Sequence, residues 1–217
     1  MILYGHPFSS YTWKAAIALD EKGLAYEPRT IGPDQPDHGA ELAAHWPAGK
    51  FPVLVAGNVP VIESSIIIEH LDLHHGGPKL IPTDPVAALA VRFMDRIFDN
   101  HVMGNAQAVV AEHLPFITPT PDAARIDRAK AALDIIFGWL DDKLPEAAWA
   151  CGDDFTMADC AAAPSLFYAD WVHPIAPMHG RLRAYRARLL ARPSVARAVD
   201  GARPYRHFWP LGPIDRD

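Results

Sequence analysis

The sequence predicts an α/β domain with the element order βαβαββα, followed by an all-helical domain. Three observations predict it. Short apolar runs alternate with stretches of helical spacing up to about residue 77. From Val86 onward the spacing is helical and strand signals are missing. Between the two lies a connection punctuated by Pro78, Pro82 and Pro85. The expected boundaries are 1–78 for the α/β domain, 79–86 for a linker and 87–217 for the helical domain, with an irregular proline-rich tail from about residue 203.

Residues 2–4 are a short apolar run closed by Gly5 and Pro7, a strand and its stop. Ser9 and Ser10 precede Trp13, Ala16, Ile17 and Leu19, with Gly23 beyond them, which reads as a capped helix with an apolar face. Residues 26–31 suit a second strand, and Pro28, lacking an N–H, puts it at a sheet edge. A Gly/Pro/Asp loop over 32–39 leads to a short helix over 40–46, ended by Pro47 and Gly49. Residues 53–55 and 59–62 flank Gly57-Asn58, a hairpin signal. Ser64 opens a helix through Ile66, Ile67, Ile68, His70 and Leu71, which Gly76-Gly77-Pro78 ends. Helical spacing then covers 86–114, 121–144, 157–172, 180–190 and 194–200. No internal repeat and no low-complexity tract interrupts this order.

Half of the 217 residues are hydrophobic and 21% are charged, a globular balance that argues against a disordered or fibrous chain. Twenty basic and 26 acidic residues leave a net charge of −6, so the basic excess of a nucleic-acid binder is missing. An anionic ligand therefore needs a local site. No stretch approaches the ~20 apolar residues of a membrane span. The N-terminus lacks a basic segment followed by a long apolar run, so no signal peptide is expected and the reading is a cytoplasmic protein. Two cysteines cannot build a disulfide framework. The 21 prolines are nearly twice the usual ~5% and call for an explanation.

Three short segments point to a ligand. In Gly49-Lys50-Phe51-Pro52-Val53-Leu54, a proline stands immediately before a buried strand. It is either a plain turn proline or a cis element that presents the backbone of Val53 to an extended peptide. Glu63-Ser64 opens an apolar helix. The N–H groups there and the helix dipole suit an anion, and Glu63 adds a carboxylate, so the pair suits an amino-acid zwitterion as well as an ordinary cap. Ser9-Ser10-Tyr11-Thr12 starts the first helix, where a hydroxyl either caps the helix or donates to a thiolate. Lowering a thiol pKa by about two units takes roughly 2.7 kcal/mol. One charge-assisted hydrogen bond of ~1.5–3 kcal/mol with a dipole contribution of up to ~1 kcal/mol suffices.

Together these segments resemble the N-terminal, thioredoxin-like domain of the glutathione S-transferase superfamily. The resemblance continues in the helical half. Trp149-Ala150-Cys151-Gly152-Asp153-Asp154-Phe155-Thr156-Met157-Ala158-Asp159 is similar to the family's loop into a buried helix, with Thr156 and Asp159 as its capping box. Arg192-Pro193-Ser194-Val195 resembles the start of the family's last helix. The likeness covers about residues 1–200.

The resemblance implies that glutathione, as co-substrate, lies across the first domain. Glu63 and Ser64 would hold its γ-glutamyl end, Val53 its cysteinyl part presented by Pro52, and Lys50 its glycyl carboxylate. Ser9-Ser10-Tyr11-Thr12-Trp13-Lys14 is similar to the Ser-Ser-Cys-Ser-Trp-Arg stretch of the zeta class, which puts the catalytic serine on Ser9, with Ser10 and Tyr11 as alternatives. Tyr11 stands where that class has cysteine, which weakens any transfer of its isomerase activity. Tyr4, the tyrosine alternative of other classes, lies inside the first strand and reads as core. The implied electrophile pocket draws on Phe8, Tyr11, Met103, Gln107, Phe116 and Tyr168.

Cys151 and Cys160 both belong to the helical half, so no dithiol is available for oxidoreductase chemistry, and Cys160 reads as a packed apolar residue. His70, His74 and His75 lack a third ligand at metal spacing, and no metal is expected. Asp95, Arg96 and Asp99 read as solvated helix charges, or else as an ion-pair network or cleft lining. The expectation is a serine-type, homodimeric, cytoplasmic glutathione transferase of the detoxification kind that acts on a hydrophobic small molecule. The alternatives are a glutathione-dependent isomerase or dehalogenase, and a non-catalytic binding or regulatory protein of the same fold.

Overall fold

The computed structural model describes residues 1–214 and 216–217. Its elements are β1 (Ile2–Gly5), α1 (Ser10–Glu21), β2 (Glu27–Thr30), α2 (Pro36–His45), β3 (Val53–Ala56), β4 (Val59–Ile62) and α3 (Ser64–His74), and then helices alone. Those are α4 (Pro85–Arg96), a π-helical stretch (Ile97–Met103), α5 (Gly104–Glu112), α6 (Ala123–Lys143), α7 (Met157–Val172), α8 (Gly180–Leu190), α9 (Pro193–Ala202) and a 3-10 turn (Arg203–Phe208). The architecture is the expected one, a thioredoxin-like α/β domain followed by a helical domain. The strand order is β2-β1-β3-β4, with β1 parallel to β2 and antiparallel to β3. β2, which carries Pro28, is an edge strand.

Side chains alternate across the sheet, and the alternation builds two cores. Leu3 and Leu54 face α1, α3 and the helical domain, in a cluster that runs on through Trp13, Ile17, Ile67, Phe98 and Phe167. Tyr4, Val53 and Val55 face the other way, under Leu42 of α2. Tyr4 is a core residue, as its place in the strand suggests, and its hydroxyl donates to Glu41 at 2.9 Å.

The segment between α3 and α4 is pinned rather than loose. Buried Asp72 accepts from the N–H groups of Leu80 and Ile81 at 3.0 and 2.8 Å and pairs with Lys22 at 2.7 Å. Met157 at the start of α7 donates to the Leu80 carbonyl at 2.8 Å. The capping box of α7 is present, and Asp159 also accepts from the Ala150 N–H at 2.9 Å and the Tyr185 hydroxyl at 2.6 Å.

Three local readings are corrected. The single helix expected over 86–114 is interrupted by the π-helical stretch, because a period near 3.6 cannot register a local widening of the helix. The short helix expected over 40–46 starts earlier, at Pro36, a residue suited to a first helical turn. The tail is regular over Arg203–Phe208, where Arg206 lies over the Trp171 ring at 5.3 Å and Tyr205 meets His6 edge-on at 4.6 Å.

Candidate active site

Two cavities of opposite character meet at Phe51. One, of about 260 Å³, is polar and is lined by Tyr11, Trp46, Lys50, Phe51, Pro52, Glu63, Ser64, Ser65, Arg96, Asp99 and Asn100. The other, of about 320 Å³, is largely apolar and is lined by Phe8, Ser9, Ser10, Phe51, Met103, Ala106, Gln107, Val110, Leu114, Tyr168, Phe208, Trp209 and Pro210.

The polar cavity gathers most of the expected peptide-binding residues. The Phe51–Pro52 peptide is cis, the second of the two readings of Pro52. Glu63 has φ +69°, a left-handed conformation uncommon for a residue with a side chain, and it turns the chain directly from β4 into α3. Glu63 rather than Ser64 holds the cap position, and its carboxylate makes no capping bond. Buried Ser64 is the first helical residue, so the free N–H groups of this terminus border the cavity.

Val53 is corrected. It is fully buried, with Tyr4 of β1 on one side and Ile62 of β4 on the other, so no free strand edge remains there. Phe51, two residues earlier and ahead of the strand, reaches both cavities.

The three candidate thiol activators separate. Ser9 is the N-cap of α1, and its Oγ accepts from the Thr12 N–H at 3.3 Å, which leaves its own proton to donate. Ser10 is mostly buried, and both serines line the apolar cavity. Tyr11 lines the polar one instead, a correction to its expected place in the electrophile pocket. Burial, and then the charge of Asp99, pushes its phenol up to about 12, so it is a neutral donor at ordinary pH.

Of the other residues expected around the electrophile, Phe8, Met103, Gln107 and Tyr168 line the apolar cavity. Phe116 does not; it is 82% exposed in the loop between α5 and α6. The Tyr168 hydroxyl donates to the Phe8 carbonyl at 3.0 Å, tying α7 to the first loop. Phe208, Trp209 and Pro210 supply a wall that the sequence reading left unassigned.

Asp95 and Asp99 are not solvated charges; they are buried beneath the polar cavity. Lys14, with no exposed surface, lies 2.5 Å from Asp95 and 2.7 Å from Asp99 and donates to Ser65 at 2.7 Å. Arg96 completes the cluster, 2.6 Å from Asp99. Cys160 is fully buried, and burial pushes the Cys151 thiol up to about 12, so neither is a ready thiolate. Among the described residues no group of three or more His, Cys, Asp or Glu side chains is arranged to hold a metal ion, and no helix is long and apolar enough to cross a membrane.

Comparison with known proteins agrees with this architecture. Residues 3–79 match the glutathione S-transferase N-terminal domain and residues 123–188 the glutathione S-transferase C-terminal domain. A stringent starvation protein A homolog from Coxiella burnetii is 30% identical over 77% of this chain and 75% of its own. A probable maleylacetoacetate isomerase from Vibrio cholerae is 28% identical over 94% of this chain and 97% of its own. Among solved structures, a glutathione S-transferase from Methylobacillus flagellatus with GSH bound superposes with a TM-score of 0.79 at 25% identity, covering 91% of this chain and 98% of that one. The chain belongs to the glutathione S-transferase superfamily.

Proposed function

We propose that the protein is a glutathione transferase that binds glutathione in the polar cavity and an apolar electrophile in the adjoining one. The junction of the two cavities at Phe51, with Ser9 on the apolar side of it, carries this reading. Glu63 and Ser64 meet the γ-glutamyl end, Lys50 meets the glycyl carboxylate, and the cysteinyl part runs along the main chain at Phe51 beside Pro52. Ser9 donates its hydroxyl proton in a hydrogen bond to the thiolate and keeps that proton; its part is electrostatic. The thiol loses its proton to solvent. The sulfur electron pair forms the new C–S bond, and the leaving group departs with the electrons of the bond it breaks.

The reading extends to a cytoplasmic homodimer. Ile66 and Leu73 of α3 and Val86, Leu89 and Phe93 of α4 are exposed apolar residues on helices joined by the Arg92–Glu69 pair, and this face suits a second copy. The relative named as a probable maleylacetoacetate isomerase supports a second reading, in which glutathione is regenerated rather than consumed.

The test is a thermal shift with glutathione and mass spectrometry of products from a panel of apolar electrophiles. A ligand at 100 times its Kd adds about 2.7 kcal/mol to stability. A glutathione-dependent shift with a stable adduct supports conjugation. A shift with an isomerised product and no adduct supports the second reading. No shift and no product would leave a fold without the activity.

A further inference from the structure

We propose that Gln107 sets the selectivity of the apolar cavity, which accepts a flat, uncharged aromatic compound bearing one hydrogen-bond acceptor and rejects a carboxylate of the same shape. This rests on the assignment of that cavity to the second substrate. Five aromatic side chains line it, and three of them pack on one another. Phe8 meets Tyr168 edge-on at 5.5 Å, and Trp209 lies nearly parallel to Tyr168 at 6.0 Å. Such an arrangement favours a further flat ring in edge or offset contact. The volume, about 320 Å³, is at the small end for ligand pockets and suits one or two rings.

The polar groups decide what that ring carries. Tyr168 has spent its hydroxyl proton on the Phe8 carbonyl. Ser9 and Ser10 sit together at the start of α1. α5 and the residues beside it contribute Ala106, Val110 and Leu114 to the lining, and among them Gln107 is the polar side chain. Gln107 is exposed, so its amide is hydrated when the cavity is empty and can exchange that water for a carbonyl oxygen. None of the described residues lining the cavity is charged; Lys50 and Arg96 both line the other cavity. A carboxylate seated at Gln107, rather than at the start of α1, would give up hydration without meeting a cationic side chain. One neutral hydrogen bond corresponds to roughly three- to tenfold in affinity, and that is the size of preference expected.

Three ligands of matched shape test this by calorimetric titration of the full chain: 2-acetylnaphthalene, 2-isopropylnaphthalene and 2-naphthoate. In the unmodified protein the ketone binds and the carboxylate does not. In Gln107→Leu the ketone weakens by roughly three- to tenfold more than the isopropyl compound, the loss of one neutral hydrogen bond. Gln107→Arg gains binding of 2-naphthoate. Equal changes for ketone and isopropyl compound in Gln107→Leu, no binding of the ketone at all, or naphthoate binding as tightly as ketone in the unmodified protein would overturn the proposal. Preferences as expected, with no glutathione product from any electrophile, would leave the selectivity of the cavity standing and defeat the transferase reading instead.

Discussion

Lys14 Nζ lies 2.7 Å from Asp99 Oδ2, and this buried pair joins the first helix of the α/β domain to the helical domain beneath the polar cavity. Lys14 also lies 2.5 Å from Asp95, so one cation serves two buried acids. Lys14→Met is expected to cost up to about 3–5 kcal/mol, because it removes the buried cation from two buried carboxylates and leaves them only the half-exposed Arg96. Burial already pushes the Asp99 carboxyl upward, and Lys14 opposes that push. Without it the folded state holds a proton that the unfolded state releases, so stability falls as pH rises. Denaturant titrations of the variant should show a smaller deficit at pH 5 than at pH 8. A deficit independent of pH would mean that the loss is one of packing.

Ser9→Ala tests the thiol activator. Removing one charge-assisted hydrogen bond of about 1.5–3 kcal/mol should lower kcat/KM roughly 10- to 100-fold. It should also raise the pKa of bound glutathione, read from thiolate absorbance. Loss of the cap should cost about 0.5–2 kcal/mol of stability, so activity is measured well below Tm. Tyr11→Phe is expected to keep the pKa of the bound thiol, because Ser9, and not Tyr11, lines the apolar cavity in which the sulfur meets the electrophile. A larger effect from Tyr11 than from Ser9 would reverse the assignment.

How far these sites were legible in the sequence differs by kind of residue. Strand runs, caps and the proline at 52 are local signals, and they placed β3, β4, α1, α3 and α7 within a few residues of their observed ends. The capping box at Thr156 and Asp159 was readable for the same reason. Lys14 was not. A lysine in a helix reads as solvated until Asp95 and Asp99, more than 80 positions away, are folded against it. The wall made by Phe208, Trp209 and Pro210 was illegible because a tail carries no periodicity that aims it at a cleft. Val53 was a register error. The signal of the proline was read forward into the strand, where sheet pairing consumes the backbone.

Glu63 holds φ +69° and ψ 122° beside the polar cavity, a sparsely populated conformation costing on the order of 1–3 kcal/mol for a residue with a side chain. Glu63→Gly relieves that cost but adds freedom to the unfolded chain, worth up to about 1 kcal/mol. Stability should therefore equal that of the parent or exceed it by up to about 2 kcal/mol, while glutathione affinity falls with the lost carboxylate. Paired measurement of Tm and of glutathione binding checks this. A strongly destabilised variant would mean that the carboxylate holds the turn together.

His6 Nδ1 accepts from the Phe8 N–H at 3.0 Å, and burial lowers the pKa of its ring below the ordinary 6.5. The unfolded chain then binds a proton that the folded chain does not, so stability is full above pH 6.5 and declines as pH falls through that value. His6→Asn keeps an acceptor two residues before the Phe8 N–H and removes the titration. Denaturation midpoints from pH 5 to 8 should show a flatter acid limb in the variant. An unchanged limb would assign the acid sensitivity to other groups.

Trp209 packs against Trp171 at 5.3 Å and against Tyr168 at 6.0 Å, and it walls the apolar cavity without lining the polar one. Trp209→Ala should therefore act on one substrate and not on the other. The KM for an apolar electrophile should rise, because a large part of the wall is gone, while the KM for glutathione stays close to that of the parent. The tail retains further anchors in the Tyr205–His6 contact and the cation of Arg206 over Trp171, so the rest of the cleft should persist. Steady-state kinetics with each substrate varied in turn separates the two constants. A parallel rise in both would mean that the tail organises the whole cleft, and a change in neither would place Trp209 outside the path of the electrophile.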